Sequence, residues 1–222
     1  MSPPTKIAHL FDKYGSICRP VIFWRDRIHG LSIEVSDSLH TVGGPLPVCE
    51  GIGAPEMHRL VATIDLEPFE ILLPKRKEPG FLSLIFNFDL NSLSTDYVVE
   101  GDRLLFAHPG CMFGADPSDP DSELPYDPYP NQFPVQKIGI DVSSEIQFDA
   151  FAELCTSQGL HGTFDEPDIS SHFFFIMPIY ADIDAPFWAA PDNPDGYLVG
   201  GNICVFRLNP VTGYVDASNQ CT

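Results

Sequence analysis

Residues 59–91 read RLVATIDLEPFEILLPKRKEPGFLSLIFNFDLN. Leu60–Leu66 and Phe81–Phe88 are apolar runs of strand length, rich in β-branched and aromatic side chains and bounded by polar, Pro and Gly residues. The spacing predicts a strand pair. Between the runs, Pro74–Gly80 carries the chain's one cluster of positive charge and reads as a solvated connection. Asp65 and Asp89 close the two runs. Acids at strand ends bond nearby backbone or cap a turn; on neighbouring strands they would also make a carboxylate pair suited to acid–base work.

A looser copy of the stretch closes the chain, with an apolar run in His172–Asp184 and a second in Gly200–Pro210. Gly80–Asp89 aligns without gaps on Gly200–Asn209, so that Ile85 matches Val205, Phe86 matches Phe206 and Phe88 matches Leu208. Asp89 falls opposite Asn209, so the apolar pattern recurs and the carboxylate does not. Two similar halves packed together would bury a shared core. The expectation is a single domain over 1–222, with related β units at about 40–110 and 165–222.

The remaining segments fit that frame. Ile7, Leu10, Phe11 and Tyr14 predict a short helix over Lys6–Tyr14. Val21–Trp24 and Leu31–Val35 predict strands around the polar link RDRIHG. Thr41–Pro55 reads as a loop; Gly51 and Gly53 make only half of a GxGxxG motif, which excludes a dinucleotide site and suggests a tight backbone crossing. Tyr97–Val99 and Arg103–Ala107 flank Glu100-Gly101-Asp102 as a hairpin. Val135–Val142 alternates as a strand. Ser144-x-x-Gln147 reads as a capping box opening a helix with Phe148, Phe151, Ala152 and Cys155 on one face and Gly159 as its stop. Phe173–Tyr180 is unalternated and predicts a strand buried on both faces. Ile203–Leu208 and Tyr214-Val215 finish the sheet. The fold class is α+β and β-rich, a mostly antiparallel or mixed sheet with an internal duplication, one or two covering helices and long Pro-rich loops.

Charge narrows the function classes. The net charge is −19. Residues 1–103 hold 10 basic and 14 acidic side chains, whereas 104–222 hold 2 basic, Lys137 and Arg207, against 17 acidic. Phosphate backbones and anionic membrane surfaces need the opposite sign, so neither nucleic acid nor membrane is expected as a partner. An acidic half keeps a protein soluble and also steers it to a basic protein. Six scattered cysteines without CxxC spacing, no N-terminal apolar leader and no membrane-length run predict a cytoplasmic protein with reduced thiols.

No HExxH, GxSxG, P-loop or paired CxxC is present. His108-Pro-Gly-Cys111 is the nearest approach to a reactive pair and reads as a turn after a strand. Residues 115–135 form a Pro-rich acidic loop, and 181–196 form another. Asp116, Asp119, Asp121 and Glu123 lack the alternating spacing and central Gly of a calcium loop. No cofactor or metal is therefore expected. Asp116, Asp119, Asp121, Glu123 and Asp127, with Asp192 and Asp195, are the candidate contacts for a basic partner. The alternative is an enzymatic or small-ligand site between the two β units, at Gly43, Gly44, Asp65 and Asp89.

The order of motifs adds a resemblance. Gly43-Gly44-Pro45-Leu46-Pro47 is followed by Val61-Ala-Thr-Ile-Asp-Leu66 and Gly80–Asp89; Phe173–Asp182, Gly200–Phe206 and the terminal Gln220-Cys221 come later. This series, from about residue 40 onward, resembles the YwqG-like family, a domain family of unknown function. The chain departs from the family pattern where Trp-Pro is absent after the Gly-Gly loop and Thr63 replaces a glutamine. The resemblance implies a β-rich α+β domain with internal duplication and carries over no catalytic residue. Because some members sit near secreted-toxin genes, it also implies that a toxin-neutralising, immunity-type role is conceivable.

Overall fold

The computed structural model describes residues 17, 19–32, 37–52, 58–87, 94–106, 132–156, 164, 168–178 and 202–221. They form a β-rich fold of thirteen strands and one α-helix. The strands are β1 (Val21–Phe23), β2 (Arg27–Ser32), β3 (Thr41–Gly44), β4 (Cys49–Glu50), β5 (His58–Asp65), β6 (Phe81–Asn87) and β7 (Ser94–Glu100). They continue with β8 (Arg103–Phe106), β9 (Phe133–Lys137), β10 (Gly139–Glu145), β11 (Phe173–Pro178), β12 (Asn202–Leu208) and β13 (Tyr214–Cys221). The helix, α1, spans Phe148–Thr156. A nine-stranded sheet runs β10-β2-β1-β11-β12-β13-β7-β8-β4, and a four-stranded sheet runs β6-β5-β3-β9. Among the described residues only the β4–β8 pair is parallel.

The apolar run at 173–178 shows how the sheets are held. In β11, Phe173, Phe175 and Met177 join the cluster shared with the small sheet, while Phe174 and Ile176 join a second cluster with Phe151 and Cys155 of α1. β12 divides the same way, Cys204, Phe206 and Leu208 to one side and Ile203 and Val205 to the other. A strand covered on both faces has no reason to alternate. Phe23 of β1 stacks on Phe151 at 4.1 Å and 7°, so the helix docks through an aromatic pair.

The strand pair in the opening stretch is present as β5–β6, with Asp65 opposite Phe81 and His58 opposite Asn87. The echo, β11–β12, is also an adjacent antiparallel pair, with Phe175 opposite Phe206. The two pairs lie in different sheets. Strands of the stretch 40–110 divide between the sheets: β3, β5 and β6 go to the small one and β4, β7 and β8 to the large one.

Four expectations change. Thr41–Pro55 contains strands β3 and β4 instead of loop alone. Gly43 lies at a register shift between β3 and β9 with φ +68°, and an added Cβ would stand 2.2 Å from the Pro134 carbonyl oxygen. Glycine lets the two backbones approach, which leaves the second half of β3 without side chains to mark it as strand. The link between β1 and β2 is only Trp24-Arg25-Asp26, with Arg25 and Asp26 at φ 48° and 56°, closed by reciprocal Trp24–Arg27 backbone bonds of 3.0 and 3.1 Å. Arg27–Gly30 is therefore strand.

The alternation across 135–142 hides two strands. β9 edges the small sheet and β10 the large one, and the chain crosses at Ile138, whose N–H donates to the His40 carbonyl. Finally, Ser144 lies in β10, and its hydroxyl donates to the Glu145 carbonyl at 3.5 Å and not to the helix. The helix is capped from across the fold: Asp26 Oδ1 accepts from Phe148 N at 2.9 Å, while the Asp26 carbonyl accepts from Ile146 N. The expected helix over 6–14 lies outside the described residues.

Candidate functional site

Of the sequence candidates, Gly43, Gly44 and Asp65 are described. Asp116, Asp119, Asp121, Glu123, Asp127, Asp192, Asp195 and Asp89 lie outside the described residues, as do His108 and Cys111. Asp65 ends β5 and is buried; its Oδ1 accepts from Glu67 N at 3.1 Å, so it caps the turn that follows. Asn87, two residues before Asp89, pairs with His58 at the far end of β5 from Asp65. Gly44 sits against the side chains of Leu60 and Val135. Asp65 thus bonds to backbone.

What gathers at the Asp65 end is a pair of histidines around one phenylalanine. His40 Nδ1 accepts the Asp65 backbone N–H at 2.9 Å, which puts the ring proton of the neutral form on Nε2. The His40 ring stacks on Phe69 (6.0 Å, 26°), and His29 meets the same ring edge-on (5.4 Å, 79°). Phe69 also packs edge-on against Phe173 and accepts Trp24 Nε1–H at its carbonyl, 3.0 Å. His29 Nδ1 lies 2.8 Å from Ser143 Oγ, directly across the β2–β10 ladder.

Burial makes both rings poor proton acceptors. His29 is pulled down to about 4, first by burial, then by the neighbouring Arg27 cation and by His40. Burial also lowers His40, with the Asp65 carboxylate opposing it. Near neutral pH the cluster holds a neutral imidazole against a hydroxyl, a pair able to pass a proton locally. Sequence reading missed these residues because 114 residues separate Ser143 from His29 and 25 separate His40 from Asp65. Only the β2–β10 register, which a sequence does not display, reveals the first pair.

Cations are tied down across the fold. Arg19 pairs with Asp141 (3.7 Å), Arg25 with Glu70 (3.5 Å), Arg27 with Glu145 (3.2 Å) and Arg76 with Asp102 (3.4 Å). Lys75 pairs with Glu100, Arg103 with Glu50 and Arg207 with Asp216. Arg76 departs from the solvated reading of its cluster. Its Nε donates to the Gly101 carbonyl at 2.8 Å and a second nitrogen to the Phe81 carbonyl at 3.0 Å, which fastens the 74–80 connection to the β7–β8 turn.

Cys49, Cys155 and Cys204 are free thiols. Burial pushes Cys49 up to about 11 and raises Cys155 and Cys204 as well, so none of the three is primed as a nucleophile. Among the described residues no group of three or more His, Cys, Asp or Glu could hold a metal ion, and no helix is long and apolar enough to cross a membrane. No family model, curated protein or solved structure matches the chain.

Proposed function

We propose that this chain is a non-enzymatic protein-binding module whose acid-rich second half engages a basic partner. The observation that carries the reading is the disposition of charge. Beyond residue 103 there are 17 acids and two cations. One of those cations, Arg207, is bonded to its cross-strand neighbour Asp216. In the first half, six more cations meet acids of the same chain. Internal pairing leaves the excess as carboxylates, and a field of that sign speeds and orients the encounter with a cationic surface. Neutralisation of a basic toxin, in keeping with the YwqG-like resemblance, is one concrete form of the role.

The test is affinity capture with the full chain and with a variant carrying Asp116→Asn, Asp119→Asn, Asp121→Asn, Glu123→Gln and Asp127→Asn. A basic protein retained by the native chain at low salt, released by high salt and missed by the variant supports the reading. Recovery of no partner, or equal recovery by both baits, overturns it.

A second reading, an enzymatic or small-ligand site at the Asp65 end, is favoured by the His29–Ser143 contact at 2.8 Å. A serine-reactive fluorophosphonate that labels the native chain and not Ser143→Ala would support it. Absence of labelling on the folded chain removes Ser143 as a nucleophile.

A further inference from the structure

An outer strand of a sheet presents unpaired N–H and C=O groups and templates an added strand unless something blocks it. The two sheets end in four such strands, β4 and β10 in the large one and β6 and β9 in the small one. Three are short or blocked. β4 is two residues long. Along β6, the Tyr97 hydroxyl donates to the Ser83 carbonyl at 2.7 Å and accepts from Ile85 N at 3.1 Å, and Thr95 Oγ1 accepts from Asn87 N at 2.9 Å. Side chains of β7 thus take the place of a neighbouring strand. β9 is five residues long and contains Pro134, which has no N–H to give.

β10 differs. It is seven residues long, contains no proline and is the last strand of its sheet among the described residues. Beyond the irregularity at Ile140/Val142 its register with β2 runs unbroken, Val142 opposite Gly30 through Glu145 opposite Arg27. Asp141, Ser143 and Glu145 are exposed along it. The nearby Arg19 and Arg27 are already held by Asp141 and Glu145. The chain then continues into Asp149 in the first turn of α1.

The charge selects the occupant. A second copy would set −19 against −19 and bring acids of β10 towards acids of β10. We infer that β10 accepts an added strand from a basic, extended segment of another protein, drawn by the chain's net charge of −19, with Asp141 and Glu145 already paired to Arg19 and Arg27. Main-chain bonds would give the affinity and alternate side chains the selection. This rests on the reading of a basic partner and adds where, and in what conformation, that partner is held.

The probe is a seven-residue peptide of alternating Lys and Val, compared with the same peptide N-methylated along one backbone edge and with an alternating Glu–Val peptide. Binding is followed by fluorescence anisotropy at about 0.05 M salt and by amide hydrogen exchange on the full chain. The Lys–Val peptide is expected to bind and to protect amides within 142–145. N-methylation should weaken it about tenfold or more, as losing one to three backbone hydrogen bonds would. The Glu–Val peptide should not bind. Salt-sensitive binding that ignores N-methylation, or that protects β9 instead, overturns the edge assignment and leaves the basic-partner reading standing. No binding at all also overturns the edge assignment, while the capture experiment still decides the broader reading. Self-association of the free chain with protection at 142–145 would replace the basic segment by a second copy.

Discussion

His40 joins three segments that are distant in sequence. Its ring accepts from Asp65 N, its carbonyl accepts from Ile138 N and its own N–H donates to Ser38 Oγ. A proton on Nδ1 would remove the acceptor that holds the end of β5. His29, on the other side of Phe69, gives a signed prediction. Its folded value is about 4 against an ordinary 6.5. Between those values the unfolded chain binds more protons, so acid favours unfolding. The contribution is complete above about 6.5 and is lost as pH falls towards 4. Acid also relieves repulsion in a chain of net charge −19, so the informative readout is a difference. The stability advantage of the native chain over His29→Gln, measured by urea unfolding, should shrink steadily from pH 7 to pH 4; a constant difference would contradict the linkage. Gly43 supplies a second residue-level test. Gly43→Ala drives a Cβ into backbone oxygen at a positive φ, whereas Gly101, also at positive φ (60°), has open space around it. Gly43→Ala should cost about 3 kcal/mol or more and Gly101→Ala about 1 kcal/mol by the same measurement.

Among the elements, α1 separates local from tertiary capping. Asp26→Ala should cost about 1 kcal/mol, while Ser144→Ala should leave stability within about 0.5 kcal/mol, because Asp26 bonds the helix N-terminus and the Ser144 hydroxyl turns to the Glu145 carbonyl. The reverse order would restore the capping box. Tyr97→Phe tests the closure of β6. Leaving the Ser83 carbonyl and Ile85 N–H without that hydroxyl should cost about 1–3 kcal/mol and speed exchange at Ile85. Legibility at this scale follows from what each element owes to its own residues. β11 was readable because burial on both faces leaves an unbroken apolar run. β5 and β6 were readable because strand-length apolar runs sit between Pro and Gly breaks. β3 was not, since its pairing depends on two glycines at a backbone crossing. The division of β9 from β10 at Ile138 was hidden too, because a chain can keep its apolar alternation while changing sheets.

For the whole molecule, strands of both sheets share one core. The excess of acid was visible in composition alone. The pairing of seven cations with acids of the same chain was not, because partners such as Arg27 and Glu145 meet only through strand register. The same limit hid His29 and Ser143, while Asp89, the other half of the expected carboxylate pair, lies outside the described residues. If the acidic half is a binding surface, the salt dependence of its affinity belongs to its carboxylates. The deciding measurement is the slope of log affinity against log salt, from about 0.05 to 0.5 M, for the captured basic partner. It is taken with the native chain and with the variant amidated at Asp116, Asp119, Asp121, Glu123 and Asp127. A steep fall for the native chain and a weaker, flatter dependence for the variant is the predicted result; equal affinities with equal slopes would contradict it.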